Sequence, residues 1–115
     1  MSLPQLIDPT ELDQALEAPD PILIFKHSPT CGISAQANDE ILELLSGPPL
    51  PARVWRIPVQ AGRAASNALA TRFGIRHESP QVLLINRGEV LWHASHHRVN
   101  SREIRSALAR HLPQS

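Results

Sequence analysis

A mixed α/β fold, with a central sheet of about four strands flanked by helices on both faces, is what this 115-residue sequence predicts. Three observations carry that expectation. Strand-like apolar stretches alternate with helical patterns over the first two thirds of the chain. Two further strand-like stretches then stand back to back around a tight turn, which makes part of the sheet antiparallel. A last amphipathic segment follows them. The length fits one domain, residues 1–115, with a single core, and no repeat, low-complexity tract or linker divides it.

The first helix begins in "DPTELDQALEA": Asp8 caps, Pro9 suits the first helical position and Glu11 sits where a capping box needs it. Leu12, Ala15 and Leu16 form its apolar face, and Pro19 and Pro21 end it. "ILIF", Ile22 to Phe25, is a continuous apolar run of the kind found in a strand buried on both faces. A second helix is expected from about Cys31, because Ile33, Ala37, Ile41, Leu44 and Leu45 recur at helical spacing until Gly47 and Pro48 stop it. "GPPLPA" reads as a loop, and "RVWRIPV" alternates enough for a short strand despite Pro58.

A third helix covers roughly Gly62 to Phe73, with Ala65, Ala68, Leu69 and Phe73 on one face and Gly74 as its stop. "QVLLIN" and "EVLWHAS" are strands joined through Asn86, Arg87 and Gly88 as a hairpin. The last helix starts at Asn100, with Glu103 completing a capping box, and buries Ile104, Ala107, Leu108 and Leu112.

Composition then narrows the function. Eleven basic and eleven acidic residues give zero formal charge, so no global field attracts nucleic acid or an anionic membrane. The longest apolar run is far too short to span a bilayer, and the N-terminus lacks the basic and apolar regions of a signal peptide; a cytoplasmic location is expected. A single cysteine forbids an intramolecular disulfide, so Cys31 is either a buried hydrophobe or a working thiol.

Ten of the eleven basic residues are Arg, yet the one Lys, a His and the one Cys fall together in "FKHSPTCGIS", residues 25–34. Cys31 lies at a strand-to-helix junction. There it faces unpaired backbone N–H groups and the positive end of the helix dipole, which favour thiolate over thiol and lower the thiol pKa below its free value of about 8.5. Lys26 and His27 offer positive charge, although neighbours on a strand point to opposite faces, so at most one aims at the sulfur. Ser34, three residues after Cys31, shares its helical face and can donate to the thiolate or bond its own helix backbone. It supplies no second sulfur. His93, His96 and His97 form a histidine-rich stretch, but with no carboxylate beside them they suit a surface hairpin end better than a metal site.

"FGIRHESPQVLLINRGEV", Phe73 to Val90, resembles thioredoxin, and the element order matches that fold over nearly the whole chain. Within the superfamily, "FKHSPTCGIS" is similar to the YtxJ-like monothiol bacilliredoxins, a bacterial group, through Phe25, Lys26, His27, Ser28, Cys31, Ile33 and Ser34. Gly32 departs from the proline often found there and gives the tetrapeptide a likeness to the Cys-Gly-Phe-Ser of monothiol glutaredoxins. The resemblance implies a cis bond before Pro80. It makes Ser79 and Pro80, together with Thr30, Gly32 and Ile33, substrate-binding candidates beside the catalytic set Cys31, Ser34, Lys26 and His27.

It also implies a monothiol oxidoreductase that removes bacillithiol, with glutathione as the other candidate co-substrate, from S-thiolated client proteins. No tightly bound cofactor or metal is expected, and a second small thiol or another redoxin would regenerate Cys31. Two other classes fit the same residues: an iron–sulfur carrier bridging a cluster between two chains through Cys31 and two small thiols, and a thioredoxin-like interaction module with an inert cysteine.

Overall fold

The computed structural model describes residues 3–28 and 32–112. Its elements run α1 (Pro9–Glu17), β1 (Ile22–His27), α2 (Gly32–Ser46), β2 (Arg53–Pro58), α3 (Arg63–Phe73), β3 (Gln81–Asn86), β4 (Glu89–Ser95), a 3₁₀ turn (His96–Arg98) and α4 (Ser101–His111). The four strands form one sheet in the order β2-β1-β3-β4, with β1–β2 parallel and the other two pairs antiparallel. This is the mixed α/β sheet of about four strands expected from the sequence.

Period-two alternation divides the core. Leu23 and Phe25 of β1 stand opposite Leu84 and Val82 of β3 and pack with Ala37, Ile41 and Leu44 of α2 and Ile104 and Leu108 of α4. Ile22 and Ile24 stand opposite Ile85 and Leu83 and pack with Leu12 and Ala15 of α1 and Ala65 and Leu69 of α3. Strand β1 therefore has helices on both faces, which is why its sequence is apolar without alternation.

Local chemistry sets most boundaries as expected. Asp8 accepts the Glu11 N–H at 2.9 Å while the Glu11 carboxylate takes the Asp8 N–H at 3.1 Å, a closed capping box. Gly74 ends α3 in the left-handed region (φ 64°), and Arg87 and Gly88 turn the hairpin with φ of 54° and 76°, the twist that matches flanking strands. At α4 the expected box is only half made. Asn100 accepts the Glu103 N–H at 2.9 Å, but the Glu103 carboxylate turns outward to Arg98 at 3.2 Å.

Strand β1 continues past "ILIF" through Lys26 and His27, the strand end on which the sequence placed them. One feature went unanticipated. At the N-terminus, Leu3 and Leu6 are buried, because Gln5 bridges to Arg56 alongside β2 and the Leu6 N–H donates to the Arg56 carbonyl at 2.9 Å.

Gly62 is where these pieces converge. A Cβ there would lie 3.0 Å from the Leu6 and Pro58 carbonyl oxygens and 3.1 Å from Ile57 Cγ2. Gly62→Ala is expected to destabilise the fold by about 1–3 kcal/mol, since two backbone groups rather than a flexible side chain would have to yield. Urea unfolding, read as a lower midpoint at unchanged slope, checks it.

Candidate functional site

Thr30 and Cys31 lie outside the described residues; the described part of the site comes from the end of β1, the first turn of α2 and the loop entering β3. His27 ends β1, and Gly32 opens α2.

The first cluster lies on the α2 side. Ser34 is fully buried in the first turn of α2. Its Oγ accepts the Ser28 N–H at 3.2 Å and sits 3.4 Å from Ser79 Oγ. Its hydroxyl thus meets the β1 exit and the β3 entry. The Ser79–Pro80 peptide bond is cis, as the resemblance implied. Three contacts hold that loop: the Ser95 hydroxyl donates to the Glu78 carboxylate, the His96 N–H donates to the Pro80 carbonyl at 2.9 Å, and Gln81 Nε2 donates to the Arg76 carbonyl at 3.0 Å. The Ser95 bond also holds the Glu78 carboxyl below its ordinary pKa. Ser34, Ser79 and Pro80, far apart in the chain, therefore meet at one end of the sheet, with Gly32 exposed and Ile33 half-buried beside them.

Lys26 and His27 part company, as strand alternation requires. The His27 ring packs on Phe25 with centroids 5.6 Å apart, on the α2 side. Burial first, then the Arg56 guanidinium, hold its pKa below the ordinary value. Lys26 continues the Ile22–Ile24 face and is 1 % exposed. Its Nζ donates to the Ser66 carbonyl at 3.2 Å and lies 3.3 Å from His77 Nδ1, which is also 3.1 Å from Ser66 Oγ. Both contacts fit a neutral His77 whose Nδ1 accepts. Burial, then the charge of Lys26, push the His77 pKa down accordingly. Burial alone lowers the Lys26 amine from its ordinary 10.5 to about 8.

The sequence offers Lys26 as a positive charge for the cysteine and singles out neither Ser66 nor His77. A lone Lys following a fully buried apolar run was the available signal; its partners, 40 and 51 residues away, had none.

A sheet of this order with a helix following β1, and a cis-proline beside that helix, defines a thioredoxin-fold protein. Among solved structures, a proposed oxidoreductase with a thioredoxin fold superposes with a TM-score of 0.81 at 28% identity, covering 91% of this chain and 92% of that one. Thioredoxin from Fasciola hepatica gives 0.75 at 16% identity over 95% and 99% of the two chains. A thioredoxin variant from Halobacterium salinarum gives 0.75 at 19% identity over 100% and 98%. Residues 4–104 match the family model described as "Monothiol bacilliredoxin BrxC". The chain belongs to the monothiol bacilliredoxin family, which together with the fold supports thiol oxidoreductase activity.

Among the described residues no helix is long and apolar enough to cross a membrane.

Proposed function

We propose that this protein exchanges a low-molecular-weight thiol, bacillithiol in the first instance, with S-thiolated client proteins through Cys31. The observation that carries the reading is Ser34, three residues after the only cysteine and buried against Ser28 and Ser79 where a dithiol enzyme would keep its resolving sulfur.

Cys31 directly precedes α2, and the free N–H groups and dipole of that helix favour its thiolate. The thiolate attacks the small-thiol sulfur of the client mixed disulfide. A sulfur–sulfur bond forms to Cys31, the client bond breaks, and the client leaves as a thiolate that takes a proton. With no internal thiol to displace it, the adduct waits for a second small thiolate or for another redoxin. In the first case the products are the small-thiol disulfide and the restored Cys31 thiolate. In this reading Ser79, Pro80, Thr30, Gly32 and Ile33 receive the substrate and Lys26 and His27 set the charge around the site. The carrier would act in the cytoplasm.

Intact-mass spectrometry of the reduced protein mixed with a client carrying bacillithiol or glutathione tests the reading. The adduct should appear on this chain as the client is freed, and Cys31→Ser should abolish both. A client that stays modified beside the unaltered protein removes exchange as the activity.

A further inference from the structure

Beside Ser34, α2 and the 3₁₀ turn enclose a cleft of about 410 Å³, within the roughly 300–1,000 Å³ common for small-molecule sites. Ile33 lines it next to Ser34, and His96, whose N–H is held by the Pro80 carbonyl, lines it from across the cleft. The cleft thus reaches the first turn of α2 at Ile33 and is tied to the cis-proline loop through the His96–Pro80 backbone bond.

Its polar groups sort into two kinds. Glu40 and Asn100 serve the fold: Glu40 accepts the Ser101 N–H at 2.9 Å and Asn100 caps α4. Gln36, Asp39, His96 and His97 also line the cleft, and their side chains have no hydrogen-bond partner among the described residues. His96 further holds a φ of 56°, a left-handed conformation that glycine adopts freely and other side chains seldom do. Backbone of that kind, kept at the rim of a cleft, marks a side chain retained for its contacts.

Two imidazoles able to donate to carboxylates, one carboxylate able to accept from an ammonium, and an amide able to do either face one space. We propose that this cleft binds the non-sulfur end of a small thiol carrying both carboxylate and ammonium groups, with His96 and His97 on the carboxylates and Asp39 on the ammonium. The inference rests on the thiol-transfer reading for its choice of ligand and adds the residues that select it. Bacillithiol and glutathione share this chemistry, and the test separates them.

The first arm uses ¹⁵N-labelled Cys31→Ser protein titrated with S-methyl bacillithiol or S-methyl glutathione, neither of which can exchange. Saturable amide shifts at Gln36, Asp39, His96 and His97 are expected, and the tighter titration identifies the preferred thiol. Shifts elsewhere, or none at millimolar ligand, overturn the assignment. The second arm compares kcat/KM for a client carrying the preferred thiol with that for the same client carrying 2-mercaptoethanol, which has neither charged group. His96→Gly removes the imidazole while suiting the left-handed backbone, so it should fold. It is expected to cut the preference for the charged thiol about tenfold, the worth of one bond to a charged group. An unchanged preference also overturns the assignment. Saturable shifts in the cleft without exchange in the wild-type protein would uphold the site and remove the transfer reading instead.

Discussion

Lys26→Met is expected to stabilise the protein at pH 7, by as much as about 3 kcal/mol, the equivalent of an amine pKa lowered from 10.5 to about 8. The sign follows from proton binding. Between pH 8 and 10.5 the unfolded chain holds a proton on Lys26 that the folded chain has released, so stability rises with pH through that window. The cost of the buried cation is present in full below pH 8 and largely gone by pH 10.5. Methionine, of similar length and without charge, removes it. The groups left behind have other partners: the Ser66 carbonyl lies within α3, and His77 Nδ1 keeps the Ser66 hydroxyl at 3.1 Å. Replacing buried charge with a well-packed apolar side chain commonly gains about 1–4 kcal/mol.

Urea unfolding of both proteins at pH 7, 9 and 10.5 should show the advantage of the variant shrinking as pH rises. A constant difference, or a loss at pH 7, would mean that the amine is better solvated by Ser66 and His77 than its burial implies. Under the proposed role of Lys26 in setting the charge around the site, the same variant is expected to slow Cys31 alkylation at pH 7. An unchanged rate would remove Lys26 from the site.

What the sequence made legible was local. Asp8 with Pro9 and Glu11, Gly74, Arg87 with Gly88, and Asn100 each carry their boundary in neighbouring residues, and the structure places those boundaries within a residue or two. The sheet followed from the order of these elements. The relations it hid are long-range and made through backbone or through polar pairs with no periodicity. Leu3 and Leu6 are held by carbonyl and amide groups of a strand 50 residues away, which leave no alternation to read. Lys26 looked like the end of a strand because charge ordinarily marks the surface. Only the packing of α3 against β1 reveals that Ser66 and His77 await it. For the site, the motif named Cys31 and Ser34. The fold alone brings Ser79 to Ser34 and sets His96 in one cleft with Ile33, the neighbour of Ser34.

Ser34→Cys is expected to turn the proposed monothiol chemistry into dithiol chemistry. A sulfur three residues after Cys31 in the first turn of α2 lies on the same helical face, the separation at which side chains meet. A thiol there can attack the Cys31 mixed disulfide from within the molecule. Closing so short a loop costs little chain entropy, so the internal thiol outcompetes the external one. The small-thiol adduct, expected to persist in the wild-type protein, should then be fleeting. Intact mass after exchange should show the unmodified chain less two hydrogens. The variant should also reduce ordinary protein disulfides, a reaction in which the proposed monothiol chemistry would leave the wild-type protein stalled as a mixed disulfide with its client. The substitution has a structural cost as well: the Ser28 N–H loses a hydroxyl acceptor at 3.2 Å and gains a weaker sulfur one, worth about 1 kcal/mol. An adduct as durable as that of the wild-type protein would show that position 34 does not face the reacting sulfur, and would take from Ser34 its part in the proposed one-thiol chemistry.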